Sequence, residues 1–136
     1  MKKTATALIG AALLAASLAG CASQIQTDLS AADTAENTAG QADLSMAAIA
    51  ASGYLGENGS FDGFNAAAAS AMEPAFKWVD GGPATLGVIS IRGAGGDSVV
   101  MVTMSASGTP QCLAFSGGAQ SLGSTDATTA AGCTGG

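Results

Sequence analysis

The apolar positions between residues 41 and 52 predict an amphipathic helix, because they recur at spacings of three and four. The predicted buried stripe contains Ala42, Met46 and Ile49, and Ala50 or Gly53 continues it. The high alanine content favours a helix and allows close packing on a sheet. A helix packed on another layer is therefore the first predicted element.

After Pro74 the pattern changes from helical spacing to the alternation and β-branched content of strands. A second short helix, residues 66–72, is predicted just before this proline. The predicted strand segments are residues 76–79, 86–92, 98–105 and 111–115. Short glycine-rich turns join the last three, so an antiparallel meander is the simplest topology. The predicted fold class is α+β, with an N-terminal helix on a small three- to four-stranded antiparallel sheet.

Two glycine-containing segments suggest ligand loops but are better explained as turns. Residues 93–96 lie between two predicted strands and lack the following helix and lysine of a phosphate loop, which predicts a hairpin. Residues 57–63 offer oxygen ligands, but their spacing does not match an EF-hand, and a turn after the first helix explains them.

The first 20 residues have the order of a secretory signal. Lys2 and Lys3 form a short basic start, and residues 4–20 are uncharged and rich in alanine. The apolar stretch is short for a permanent membrane helix, which needs about 20 apolar residues. We therefore predict a signal peptide over residues 1–20, a polar tether over 21–40 and one globular domain over 41–136.

Leu18-Ala19-Gly20-Cys21 resembles the lipobox of bacterial lipoproteins. The resemblance implies cleavage before Cys21 and lipidation of its thiol with diacylglycerol, with palmitate as a typical chain, at the extracytoplasmic face of the cell membrane or outer membrane. Several acyl chains give stable anchoring where one does not. The alternative is an ordinary signal peptide in which Cys21 is incidental.

The chain has three cysteines, an odd number that needs an explanation in an exported protein. Lipidation accounts for Cys21 and leaves Cys112 and Cys133, which we predict to form a disulfide. Closing this loop would stabilise the fold by about 3 kcal/mol and give the glycine-rich tail a reason to be ordered. The alternative, a metal site built on two thiolates, lacks histidine, since the chain has none.

The charge balance excludes some partners. The formal net charge is −6, and loss of the signal peptide would leave Lys77 and Arg92 against ten acidic residues. Nucleic acids and anionic lipid headgroups both require clustered basic residues. We therefore expect no nucleic-acid partner, and a membrane link made by the lipid itself.

Little in the sequence points to catalysis, and no cofactor or metal is expected. The absence of histidine excludes Ser-His-Asp and Cys-His arrangements. Asp62, Asp80 and Asp97 lie in predicted loops, where turn formation is the ordinary role of an aspartate. Trp78 is a candidate for ligand contact, although core filling is the more common role of a single tryptophan.

Tyr54, the segment Glu57-Asn58-Gly59-Ser60-Phe61, the strand meander and the cysteine pair together resemble the globular head of type IV pilins and pseudopilins. The segments 48–54 and 87–91 are most similar to pilin-like proteins of Gram-positive bacteria, and the resemblance covers residues 42–136. The chain departs from pilins at its start, because polar residues follow Cys21 where pilins have a long apolar helix.

This resemblance, with the lipobox, implies a non-enzymatic lipid-anchored protein of the cell envelope. Its head would act as a structural or interaction component of a surface, secretion or pilus-related system, with protein partners in the envelope. The alternative is a small binding lipoprotein that captures a ligand or polymer through Trp78 and neighbouring acids.

Overall fold

The computed structural model of the chain describes residues 37–134. The predicted signal peptide, the acylation site Cys21 and the tether up to residue 36 lie outside the described residues. Among the helices of the described part, none is both long enough and apolar enough to cross a membrane.

The first helix, α1, covers described residues 37–58 and is longer than the predicted 41–52. Residues 37–40, assigned from the sequence to the tether, belong to it. Gly40 does not interrupt the helix. It is buried against the sheet, where a Cβ on this residue would lie only 3.2 Å from Cγ of Gln111, so the position favours glycine. The helix ends at Gly59, whose φ of +73° and N–H bond to the Leu55 carbonyl form a glycine C-cap.

The buried stripe of α1 differs from the predicted one. The side chains that face the sheet are Leu44, Ala47, Ala48 and Ala51, while Ala42, Met46 and Ile49 are exposed. Ala50, which was one of the two predicted continuations of the stripe, is buried. Both sets have helical spacing, so periodicity alone could not choose between them. The small alanines let the helix approach the sheet closely, and that contact outweighs burial of the two larger side chains on the other face.

The second helix, α2, spans Ala66–Met72, as predicted. Asn65 caps its N-terminus by accepting a hydrogen bond from the backbone N–H of Ala68 at 3.0 Å. Asp80 adds a second acceptor, 2.8 Å from the backbone N–H of Ala66.

The sheet has five strands in the order β1-β2-β3-β4-β5, and it is mixed. This corrects the prediction of a three- to four-stranded antiparallel sheet. The strands are β1 Lys77–Asp80, β2 Val88–Gly95, β3 Ser98–Met104, β4 Pro110–Ser116 and β5 Ala119–Gly123. Strands β2 to β5 form the predicted antiparallel meander with one strand added, whereas β1 pairs with β2 in parallel.

Strands β1 and β2 can pair in parallel because β1 has only four residues. The short connection 81–87 can therefore bring the chain back beside the first residue of β1, where β2 begins. The Ser90 hydroxyl donates to the carbonyl of Gly81, and the Thr85 carbonyl accepts from the backbone N–H of Met104 at 3.4 Å. Ala84, in the same connection, is buried on the sheet face opposite α1. The predicted antiparallel arrangement assumed that all neighbouring strands are joined by hairpins.

Alternation along the strands divides the core into two layers. Val99, Met101, Leu113 and Phe115 face α1 and α2. The layer on the opposite face contains Ala84, Val100, Val102, Cys112, Ala114, Ala127 and Cys133. The C-terminal residues thus cover one face of the sheet and the helices cover the other.

The predicted disulfide is confirmed. Cys112 and Cys133 are bonded, with their Cα atoms 5.7 Å apart. The bond holds the tail against β4, and a 3-10 helix at Ala130–Gly132 lies against β3 and β4. The tail therefore forms part of the second core layer.

Candidate functional site

The large apolar side chains that remain exposed on α1 are Met46 and Ile49, at 51% and 69%. They are one turn apart on the helix face directed away from the core. On β5, Leu122 is 37% exposed. It is paired with Leu113, so it lies on the sheet face that carries α1.

A groove of about 490 Å³ runs between α1 and β5. Its lining residues are Ser45, Ala48, Ile49, Ser52, Gly53 and Gln120. All six are uncharged, and most are small. In a chain with ten acidic residues, this groove offers a neutral surface in which Ala48 and Ile49 are apolar.

The groove opens beside the outer edge of β5, which is an end strand of the sheet. Residues 119–122 are exposed, and β5 contains neither proline nor a charged residue. Natural sheets usually protect such edges with charges, prolines or covering segments, because unpaired backbone groups invite another strand. Within residues 37–134, no strand pairs with this edge of β5.

Two aspartates lie in the connected turns at one end of the sheet. Asp62 accepts a hydrogen bond from the backbone N–H of Gly96 at 2.9 Å, and the Asp97 carbonyl accepts from the backbone N–H of Gly117 at 3.3 Å. These bonds link the loop after α1 to the β2–β3 turn, and that turn to the β4–β5 turn. The Asp97 carboxylate lies 3.6 Å from the position that a Cβ on Gly117 would take, so it places a negative charge beside the start of β5. The salt bridge between Arg92 and Asp126 involves neither of these two aspartates.

Of the three aspartates considered for chemistry, Asp62 and Asp80 accept backbone hydrogen bonds through their carboxylates, and Asp97 does so through its backbone carbonyl. Asp62 and Asp97 lie in adjacent turns, and Asp80 holds the start of α2. Within the described part of the chain, no group of three carboxylate or cysteine side chains is arranged to hold a metal ion. The segments 57–63 and 93–96 are a helix end and part of a hairpin, as predicted.

Replacing Asp80 with alanine should lower the free energy of unfolding by about 1 kcal/mol, because the backbone N–H of Ala66 loses its acceptor. Asp43→Ala removes an exposed acid from α1 and should change stability by less than about 0.5 kcal/mol. Urea unfolding followed by circular dichroism measures both. Equal losses in the two variants would contradict the capping role.

Trp78 is part of the core. Its side chain is 8% exposed, and its indole N–H donates to the Glu73 carbonyl at 2.9 Å. Phe76 packs edge-on against it, with ring centroids 6.2 Å apart. Neither the α1/β5 groove nor the recess of about 220 Å³ beside Leu86 is lined by Trp78. An indole held in this way fills the core, the more common of the two roles weighed from the sequence.

The groove was not found from the sequence, for two reasons. Ile49, which lines the groove, is assigned from the sequence to the buried stripe, and β5 is not predicted. A signal for β5 does exist, because Gly117-Gly118 is a typical two-residue hairpin turn. Both glycines have positive φ, +58° and +81°, as a type I′ turn requires.

Comparison of the chain with protein-family models, with curated proteins and with solved structures gives no match in any of the three.

Proposed function

We propose that this chain is a non-enzymatic, lipid-anchored protein of the bacterial cell envelope, whose domain acts as an interaction module. The observation that carries the proposal is the uncharged α1/β5 groove beside an unprotected strand edge. Exposed apolar surface of this kind marks interaction sites in soluble domains.

The cysteine pairing supports the anchor. Of the three cysteines, Cys112 and Cys133 are bonded to each other, and the third is Cys21. A paired cysteine is not available for a second disulfide, so Cys21 needs another role. Its position after Leu18-Ala19-Gly20 makes acylation the role that we propose.

The pilin-like head is the finer part of the proposal. A long helix packed on a meander, followed by a disulfide-bonded C-terminal segment, agrees with what the sequence resemblance implies. The polar residues after Cys21 separate this chain from filament-forming pilins, so the head would be displayed on lipid instead of on an apolar helix. A surface, secretion or pilus-related assembly is the proposed setting.

Mass spectrometry of the protein extracted from membranes tests the anchor. We expect the mass of residues 21–136 plus acyl chains, and a gain of two hydrogens when the disulfide is reduced. Cys21→Ser should abolish acylation and most membrane retention, since the bound chains supply the membrane affinity. Cys112→Ser serves as the control and should remain acylated. An unlipidated mass for the wild-type protein would refute the anchor.

Site-specific photo-crosslinking in intact cells tests the interaction role. A photoreactive residue at position 49 lies in the groove, and one at position 67 lies on the exposed face of α2. We expect a specific crosslinked band from position 49 alone. Equal or absent crosslinking at both positions would contradict a partner at this groove.

A further inference from the structure

The α1/β5 groove combines two features that recognise an extended polypeptide. Within residues 37–134, the outer edge of β5 has no partner strand, so its backbone donors and acceptors can pair with a sixth strand. The groove beside it provides an apolar wall at Ile49 and Ala48, where alternate side chains of that strand would lie. The same ligand could thus form backbone hydrogen bonds with β5 and bury its side chains in the groove.

We propose that this groove binds an extended peptide segment of a partner protein by β-strand addition to β5. The segment is neutral along the strand and carries lysine or arginine at one end. This inference rests on the proposed interaction function and names the class of its partner.

The charge distribution sets the chemistry of the ligand. The groove lining and all five residues of β5 are uncharged, so a charged side chain in the middle of the segment would lose hydration without gaining a partner. The Asp97 carboxylate lies beside Gly117 at the start of β5, and the described basic residues Lys77 and Arg92 are on β1 and β2. A basic end of the ligand therefore belongs beside the β4–β5 turn.

The antiparallel order of β2 to β5 sets the direction. A strand that continues this pattern runs opposite to β5, so its C-terminal end lies beside the β4–β5 turn. The basic residues of the ligand should therefore follow the neutral stretch in sequence.

The size of the site favours a peptide over a second copy of the chain. The exposed part of β5 has four residues, which corresponds to roughly 13 Å of strand. A stable dimer interface uses about 20–30 residues from each partner. Six lining residues and one short edge match a short linear segment instead.

Fluorescence anisotropy with a defined probe tests this proposal. The protein is the full processed chain in phosphatidylcholine nanodiscs, and empty nanodiscs serve as the blank. The probe is fluorescein-Thr-Val-Ser-Val-Ala-Lys-Lys-amide, compared with the same peptide ending in Glu-Glu and with one N-methylated at both valines. We expect saturable binding of the lysine peptide, at least about tenfold weaker binding of the glutamate peptide and none of the N-methylated peptide.

Two substitutions place the binding in the groove. Ile49→Glu and Leu122→Glu each put a charge on an exposed side chain, so the fold should be retained, and binding should weaken by about tenfold or more. Met46→Glu is the matched control, because Met46 is exposed on α1 outside the groove lining, and binding should stay within about twofold. Asp97→Asn should reduce the difference in affinity between the lysine peptide and the glutamate peptide.

Four results would overturn the proposal. These are no saturable binding of the lysine peptide, equal binding of both charge forms, binding that survives N-methylation, and binding insensitive to Ile49→Glu and Leu122→Glu. A dimer in sedimentation experiments that Leu122→Glu dissociates would assign the groove to a second copy and also overturn it. If Cys21 is not acylated, the titration is made on the chain in buffer, so failure of the anchor and failure of peptide binding are read separately.

Discussion

Replacing Leu44 with alanine should lower the free energy of unfolding by about 2–5 kcal/mol, as expected when a buried leucine is truncated. Leu44 is fully buried and belongs to the α1 stripe that contacts the sheet. The loss combines the transfer free energy of the removed atoms with the cavity that remains, because neighbouring backbone cannot close completely over it.

Met46→Ala is the matched comparison on the same helix. The Met46 side chain is 51% exposed, so its truncation should change stability by less than about 0.5 kcal/mol. Urea unfolding of both variants, with the m-value checked for constancy, measures the difference. A larger loss for Met46→Ala than for Leu44→Ala would mean that the stripe inferred from the sequence is the buried one.

Removing the disulfide should lower the free energy of unfolding by about 3 kcal/mol, because Cys112 and Cys133, at a sequence separation of 21, are then no longer tied together in the unfolded chain. The double variant Cys112→Ala and Cys133→Ala should also release residues 124–134 from the sheet. Val100 and Val102 would then lose part of their cover. Denaturant unfolding gives the energy, and limited proteolysis with mass spectrometry locates the released segment.

Thiol reduction of the wild-type chain provides an independent comparison. It should lower the unfolding midpoint by about as much as the double variant does, and it should have no further effect on the double variant. Resistance of residues 124–134 to proteolysis after reduction would show that packing of Ala127 and Cys133, without the covalent bond, holds the tail.

The elements predicted best from the sequence are those fixed by local chemistry. Helix α2 was predicted at its observed bounds, because Pro74 ends it and alanine fills it. Strands β3 and β4 were predicted to within a residue, since β3 is rich in valine and glycine-containing turns border both strands. The disulfide followed from counting cysteines.

The features missed depend on contacts between distant segments. Sequence periodicity is compatible with two buried stripes on α1. Which stripe is buried depends on how closely its alanines pack on the sheet, and the position of the sheet does not follow from the sequence of the helix. The parallel pairing of β1 depends on how the connection 81–87 lies over the second core layer. Strand β5 is short and largely exposed, so it has almost no apolar alternation to reveal it.

The candidate site was missed for the same reason. A groove between a helix and a sheet edge has no sequence motif, because its lining residues come from α1 and from a strand about 70 positions later. Ile49 was noticed, but as a core residue. Trp78, the candidate that was named, belongs to the core, since its indole N–H already has a backbone acceptor.

The placement of Cys133 near the end of the described chain affects the order in which the domain matures. Synthesis runs from the N-terminus, so α1, α2 and the sheet strands emerge before the segment that covers their second face. Until residues 124–134 arrive and Cys133 is oxidised, Val100, Val102 and Ala114 face solvent on one side of the sheet. Disulfide formation takes seconds to hours, far longer than hairpin formation. If packing alone does not hold residues 124–134, the half-covered form lasts until Cys112 and Cys133 are joined, and proteolysis of that form competes with this one oxidation step.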